Sequence, residues 1–348
     1  MKLKINRIDW FLTGMIAAIL VASLAPDVGR SGGLLRLDSL GDVGIFALFF
    51  LHGIGLSRDN LKDGASNWRL HLTIQLVTFV VFPIWWVILA ATLGSYISHD
   101  LLLGFFYLSA LPSTVSSSVA MTSLARGNIA AAVLNASLST VLGVLITPIL
   151  VSVVMQEGGG ANFDILPTMQ KIVVMLLFPF VLGHVLRPWL SELFGKIKHI
   201  TMRFDRAVIV MLVWTAFSDS VTDGLWKNHG PTLLVEACLG VALFLGPMLL
   251  FTRLLAVKLK FQTSGEIVAV FCGSTKSMAS GLPMAKLLFA GNPAIGVLII
   301  PILLYHQIQL FVCTVIARRY AYRSMEENKL IKNNNEYSDR LAQDGQPV

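Results

Sequence analysis

Leu111-Pro112-Ser113-Thr114-Val115-Ser116-Ser117-Ser118 stands in the middle of the apolar run 100–124. Proline removes a backbone donor, and five hydroxyl residues in six positions are too polar for a lipid-facing turn. Adding 164 to Pro112 gives Lys276, at the centre of a second apolar run, 265–289. That run reads Cys272-Gly273-Ser274-Thr275-Lys276-Ser277-Met278-Ala279-Ser280-Gly281-Leu282-Pro283. Two mid-run interruptions at corresponding places predict two broken helices. Backbone freed by a break survives at membrane depth only when buried in protein or lining a polar cavity. Serine and threonine hydroxyls suit such a place, because they cap half-helix starts and can ligate a cation.

The rest of the chain agrees with a membrane setting. Its 348 residues are 55% hydrophobic and 14% charged, and the mean hydropathy is +0.71. Soluble domains carry about 25% charged residues, so a soluble enzyme, a disordered chain and a disulfide-rich module are excluded. A helix needs about 20 apolar residues to cross a bilayer. Such segments fall near 9–26, 39–56, 69–93, 100–124 and 129–155, and again near 167–187, 204–223, 231–256, 265–289 and 293–317. Ten spans are expected. A loop with Gly158, Gly159 and Gly160 separates the two sets, and beyond Arg318 the chain turns polar, which predicts a disordered cytoplasmic tail over 323–348.

The net charge of +7 belongs to the loops and not to a nucleic-acid surface. Of 27 Lys+Arg, 21 fall on the termini and on the loops that share their side, four (Arg30, Arg36, Lys171, Lys227) on the opposite loops, and two (Lys276, Lys286) inside a span. The positive-inside rule then puts both termini in the cytoplasm. The first segment also has features of a cleaved signal peptide, with Lys2 and Lys4 ahead of an apolar stretch and Ser23-Leu24-Ala25 behind it. Trp10, Phe11 and the even span count favour its retention. Cys238, Cys272 and Cys313 lie in apolar segments without metal-ligand spacing and read as buried free thiols.

Landmarks recur between the halves. Pro26 and Pro188 are 162 apart, Asp63-Gly64 and Asp223-Gly224 160, Pro83 and Pro247 164, and Gly127-Asn128 and Gly291-Asn292 164. The halves are 1–155 and 156–322. Five is odd, so two such halves are inverted relative to each other, an arrangement of secondary transporters with the site near the midplane between repeats.

Lys276 is the most informative residue, since a lysine at mid-membrane depth is costly unless paired or hydrated. Lys286 lies further along, where it can snorkel to the outer interface. Gly273-Ser274-Thr275-Lys276-Ser277 lacks the glycines of a phosphate loop, so no nucleotide site follows. Gln75, Asn135 and Ser139 are polar residues within spans, and the last two can face the fourth-span break. His306 and Gln309, three apart, share one helical face and can reach the ninth span. His52 and His184 read as packing histidines, and Asp219 as an interface marker.

Leu124-Ala125-Arg126-Gly127-Asn128-Ile129-Ala130, following a polar fourth span, resembles the bile acid:sodium symporter superfamily. Cys272 to Ser277, Gly281-Leu282-Pro283-Met284 and Tyr305-His306-Gln307-Ile308-Gln309-Leu310 are similar to an orphan branch of it. The resemblance runs to about Tyr322. It implies a panel of spans 1, 2, 6 and 7 beside a core of the other six, with the fourth and ninth helices crossing at their breaks. It also implies two sodium ions near that crossing. By position Ser116, Ser117 and Ser118 match the fourth-span ligands, and Asn135 and Ser139 lie nearest the fifth-span ones, where Ala132 and Ala136 replace hydroxyls. The family's ninth-span glutamate has no counterpart at the break, and Glu266 is some ten residues early. Lys276 then stands where a sodium ion sits elsewhere, and a lysine that loses its proton each cycle would couple transport to protons.

The expectation is a secondary transporter of the bacterial inner membrane, moving a small organic anion by alternating access, with sodium as coupling ion and no cofactor. Thr114, Ser274, Thr275, Ser277, His306 and Gln309 are the candidate substrate contacts. Gln75 joins the three serines, Asn135 and Ser139 as candidate ion ligands. No obligate protein partner is evident. Proton coupling through Lys276, or a non-transporting membrane regulator, are the alternatives.

Overall fold

The computed structural model describes residues 10–55, 67–157, 165–224 and 232–343. Asp63-Gly64, the glycine run 158–160, and Lys2, Lys4, Arg7, Arg58, Lys62 and Lys227 lie outside the described residues. Within them the chain is almost wholly helical: α1 (Trp10–Leu24), α2 (Leu37–Gly55), α3 (Trp68–Tyr96), α4 (His99–Ala110), α5 (Val115–Leu124) and α6 (Ile129–Glu157) come first. α7 (Ile165–Ile172), α8 (Phe178–Thr222), α9 (Thr232–Lys258), α10 (Thr263–Ser274), α11 (Met278–Leu288) and α12 (Ile295–Gln343) follow.

Among the described residues, six helical stretches are long and apolar enough to cross a membrane: Leu37–Gly55, Trp68–Tyr96, Ile129–Met155, Met169–Glu192, Thr232–Lys258 and Ile295–Arg323. The pair α4 and α5, bent by 62° at its break, makes a seventh. This is a multi-pass membrane protein. Helix α1, at 15 residues, spans only about 22 Å at 1.5 Å per residue, and Pro26 follows directly on its C-terminal side. α12 continues past Tyr322, and the polar segment read as a disordered tail carries helical backbone to Gln343.

The segments expected at 167–187 and 204–223 are joined by unbroken helical backbone, Phe178–Thr222, 45 residues long. That path is not straight. His52 Nε2 lies 3.8 Å from Asp205 Oδ1, while a Cβ built on the adjacent Gly53 would lie 3.0 Å from the His184 amide nitrogen. A straight helix would separate His184 from Asp205 by about 31 Å. Both lie against neighbouring residues of α2, so the path folds back between them, through the stretch that carries Gly195 and Lys196. α2 is clasped between the two arms. The contact is close because it is glycine against backbone on both sides: a Cβ on Gly53 would lie 2.0 Å from the Phe180 carbonyl oxygen, and one on Gly183 2.1 Å from that of Phe50.

Packing divides the helices into two groups. α1 and α2 lie on α8, while α3, α4, α5, α6, α9, α10, α11 and α12 gather around the two breaks. The groups meet along a seam where α8 touches α11 and α12.

Candidate functional site

The two breaks have different causes. Residues preceding proline avoid the α region, and Leu111, before Pro112, is extended at φ −72°, ψ 151°. Helix α4 therefore stops at Ala110, and α5 restarts at Val115. No proline stands between α10 and α11. There the backbone is drawn out by partners: Thr275 is extended at φ −92°, ψ 149°, and the Gln309 side chain grips the next residue from both sides. Gln309 Oε1 accepts from the Lys276 amide at 2.9 Å, and its Nε2 donates to the Lys276 carbonyl at 3.0 Å.

The breaks cross in contact. The Ser277 amide donates to the Pro112 carbonyl at 2.8 Å. Around this bond lies a buried hydroxyl cluster: Thr275 Oγ1 is 2.7 Å from Ser118 Oγ and 3.2 Å from Ser113 Oγ, and donates to the Phe271 carbonyl at 2.7 Å. Ser139 Oγ accepts from the Ser113 amide at 2.9 Å. Ser277 caps α11 by accepting from the Ser280 amide at 3.2 Å.

Lys276 fills the centre and is 0% exposed. An ammonium has three donors and no acceptor, and all three are used: Nζ donates to the carbonyls of Ser109 (2.7 Å), Leu111 (2.7 Å) and Thr78 (2.9 Å). Two of these belong to the C-terminal end of α4, where the helix dipole favours a cation. The third has a separate origin. Residues Val77–Val81 of α3 form a π turn in which the Phe82 amide bonds the Val77 carbonyl. The donor that would follow for Thr78 is residue 83, a proline without an N–H. The Thr78 carbonyl is thus released from its helix and taken by Lys276. Below, the Phe82 ring centroid lies 4.0 Å from Nζ, adding a cation–π contact. Thr147 Oγ1 takes the remaining helix-end carbonyl, that of Ala110, at 2.7 Å.

The structure gathers the predicted residues unequally. Ser118, Ser139, Thr275, Lys276, Ser277 and Gln309 meet at the crossing. The Ser274 hydroxyl bonds the Val270 carbonyl of its own helix, and Thr114 is buried beside the break. Ser116, Ser117 and Ser118 do not share one direction, because successive helical residues point about 100° apart. Ser116 is exposed, while Ser117 is buried with its hydroxyl lacking a hydrogen-bond partner. Gln75 Nε2 donates to the Asn135 carbonyl at 3.2 Å, and Gln75 Oε1 has no partner. His306 lies at the seam, edge-on to Phe11 of α1 with ring centroids 6.3 Å apart, and its Nδ1 is 3.2 Å from Gln309 Nε2.

Several site residues escaped the sequence reading. Tyr305 donates to the Ser274 carbonyl at 2.6 Å, and Tyr107 to that of Gly281. Each satisfies a carbonyl near the second break, and a fully buried tyrosine in an apolar helix is the signal that could have pointed to them. Thr78 was marked only by Phe82-Pro83 downstream. Lys286, read as reaching towards the outer interface, is partly exposed and pairs with Asp42 at 2.7 Å. Asp219 does more than mark an interface, since it accepts from both the amide (2.7 Å) and the hydroxyl (2.8 Å) of Ser31. Glu266 lies in the first turn of α10, ten residues before Lys276, where it accepts from Tyr320 at 2.6 Å and pairs with Arg253 at 3.6 Å.

Comparison with known proteins gives a consistent picture. The profile of the SBF-like CPA transporter family matches residues 9–322. Uncharacterized protein PA2026 of Pseudomonas aeruginosa is 42% identical over 315 residues, covering 90% of this chain and 93% of its own length. YfeH of Escherichia coli (strain K12), whose name only suggests a symporter, is 40% identical, covering 91% and 95%. Sodium/bile acid cotransporter 7 of Mus musculus is 28% identical, covering 89% and 92%.

Proposed function

The chain belongs to the SBF-like CPA transporter family, within the bile acid:sodium symporter superfamily, and from that premise we propose that it is a sodium-coupled secondary transporter of a small organic anion. The observation that carries the reading is the buried crossing itself. Two half-helix starts, Val115 and Met278, lie beside a fixed ammonium, and such amide ends favour a carboxylate or sulfate.

The proposed architecture is ten spans in two inverted halves, set in the bacterial inner membrane with cytoplasmic termini. Supporting it, α4 ends at Ala110 and α10 at Ser274, 164 residues apart. Asn128 Oδ1 accepts from the Ala131 amide at 2.9 Å, and Asn292 Oδ1, 164 residues later, from the Ala294 amide at 2.8 Å. Alternating access is then motion of α1, α2 and α8 against the helices around the crossing.

Lys276 serves in this reading as a tethered cation on the helix-end carbonyls, and sodium binds elsewhere. The buried oxygens Gln75 Oε1 and Ser117 Oγ, both without partners, are the acceptors offered to it, with Asn135 beside Gln75. A second reading, proton coupling, draws on the fact that the three hydrogen bonds of the Lys276 ammonium all go to carbonyls, so it could lose a proton without orphaning an acid.

Thermal unfolding of the detergent-purified chain in sodium, potassium and choline chloride at several pH values tests both. An ion binding only the folded state stabilises it by about 2.7 kcal/mol at a hundredfold excess over Kd. A sodium-specific shift that Ser117→Ala or Gln75→Ala removes is the expected result. A pH-dependent shift abolished by Lys276→Ala, without a sodium shift, establishes the second reading. Absence of both overturns ion-coupled transport.

A further inference from the structure

The seam between the two helix groups carries a feature that the crossing does not explain. At the end of the molecule where α2 begins and α8 ends, polar ties run across it. Lys286, on α11, donates to Asp42 Oδ1 at 2.7 Å and to the Asp38 carbonyl, both on α2. Close by, the Gly296 amide at the start of α12 donates to Ser220 Oγ of α8 at 2.8 Å. Each tie joins a helix of the crossing group to a helix of the other group.

Local sequence fits both ties. A Cβ on Gly41 would lie 3.0 Å from Lys286 Nζ, so glycine leaves α2 open where the lysine crosses. A Cβ on Gly296 would lie 2.2 Å from Ser220 Oγ, so this close approach needs glycine as well. Directly beneath lies a pocket walled by Leu212, Thr215 and Asp219 on α8, and by Leu282, Ala285 and Lys286 on α11. It is a gap between the two groups, and Lys286 forms part of its rim.

We propose that Lys286–Asp42 and Gly296–Ser220 form the outer gate of the seam, and that the pocket below them is the closed remnant of the outward-facing passage. The inference rests on the transporter reading, because a gate presupposes two groups that move apart. The ties suit a gate because they are weak enough to break in every cycle. The Lys286 and Asp42 side chains are 23% and 43% exposed, and pairs of that kind contribute little net stability. The Gly296–Ser220 bond is a single neutral one.

The test reads accessibility and needs no substrate. In a Cys238→Ser background, which removes the exposed native thiol, Ala285→Cys puts a thiol in the pocket. It is labelled in intact cells with a membrane-impermeant maleimide. The expected result is slow labelling that Asp42→Asn or Lys286→Met accelerates about two- to fivefold, the equilibrium shift such a pair is worth. Asp42→Glu, which keeps the charge, stays slow. Ser220→Ala gives an independent acceleration through the second tie, and an unchanged unfolding midpoint shows each variant is folded. Labelling that neither Asp42→Asn nor Ser220→Ala changes overturns the gate. A sodium- or pH-dependent unfolding shift with unresponsive labelling removes the gate and leaves the transporter; labelling that responds without any ion-dependent shift does the reverse.

Discussion

The Lys276 ammonium donates to the Thr78 carbonyl at 2.9 Å across 198 residues of sequence, and Pro83 is the reason that carbonyl is available. A proline five residues on cannot supply the N–H that the π turn would direct there. A local defect in one helix thereby becomes an acceptor for a charge carried on another. The usual expectation for a mid-helix proline, a gain of about 3 kcal/mol on replacement by alanine, is reversed here. Pro83→Ala offers Thr78 a competing donor, so the unfolding midpoint is expected to stay level or fall, and a clear rise would count against the linkage.

Lys276→Met keeps the length of the side chain and removes its charge, leaving three buried carbonyls without a partner. At about 1–3 kcal/mol for each unsatisfied group, the loss is several kcal/mol by thermal or denaturant unfolding. Lys276→Arg does not restore it, because a planar guanidinium cannot point donors at three converging carbonyls as an ammonium does. The smaller Lys276→Ala leaves room for a free monovalent cation, and its stability should depend on salt identity more strongly than that of the parent.

Gln309 replaces two hydrogen bonds that a continuous helix would have made for Lys276. Gln309→Leu therefore exposes a buried amide and a buried carbonyl at once and is expected to cost about 2–4 kcal/mol. Gln307, two positions away and outside this contact, gives the contrast: its Nε2 is buried without a partner, so Gln307→Leu should leave the unfolding midpoint level or raise it.

Among the three adjacent serines only one joins the crossing. Ser118→Ala removes a 2.7 Å bond to Thr275 and should destabilise by about 1 kcal/mol. Ser116→Ala, at an exposed position, should stay within about 0.5 kcal/mol of the parent. A cation titration followed by unfolding should be blind to Ser116 and sensitive to Ser117.

Gly53→Ala and Gly183→Ala each push a methyl group into a backbone carbonyl of the opposing helix. Overpacking of this kind costs about 1–3 kcal/mol or more. Both changes force apart the same pair of helices, so the double variant should lose less than the two single losses added together.

How far the sequence could be read depended on whether a feature was written locally. The first break was legible because Pro112 imposes it. The second was legible from Lys276 and the offset between the halves, yet its cause was not, since Gln309 and Pro112 act from distant positions. Ser116, Ser117 and Ser118 looked equivalent as ligands until helical geometry separated them. Tyr107, Tyr305 and Thr78 were hidden because a tyrosine in an apolar run reads as packing, and a released carbonyl has no letter in the sequence. Of the ten apolar runs, six helices and one bent pair are long and apolar enough to span among the described residues, and unbroken helical backbone runs from Phe178 to Thr222 through basic residues that looked like a loop.

In the proposed sodium-coupled cycle, a lysine held by three carbonyls is a charge that stays on the chain. Over a complete transport cycle it moves with its helices and returns, and its contribution to the net current cancels. Within the cycle it does not cancel. In that reading the empty carrier is positive at the crossing, and the proposed organic anion would be offset by one charge before any coupling ion is counted. On that proposed cycle the membrane potential, worth up to about 2.3 kcal/mol per charge for each 100 mV, would act on the return of the empty carrier as well as on its loaded passage.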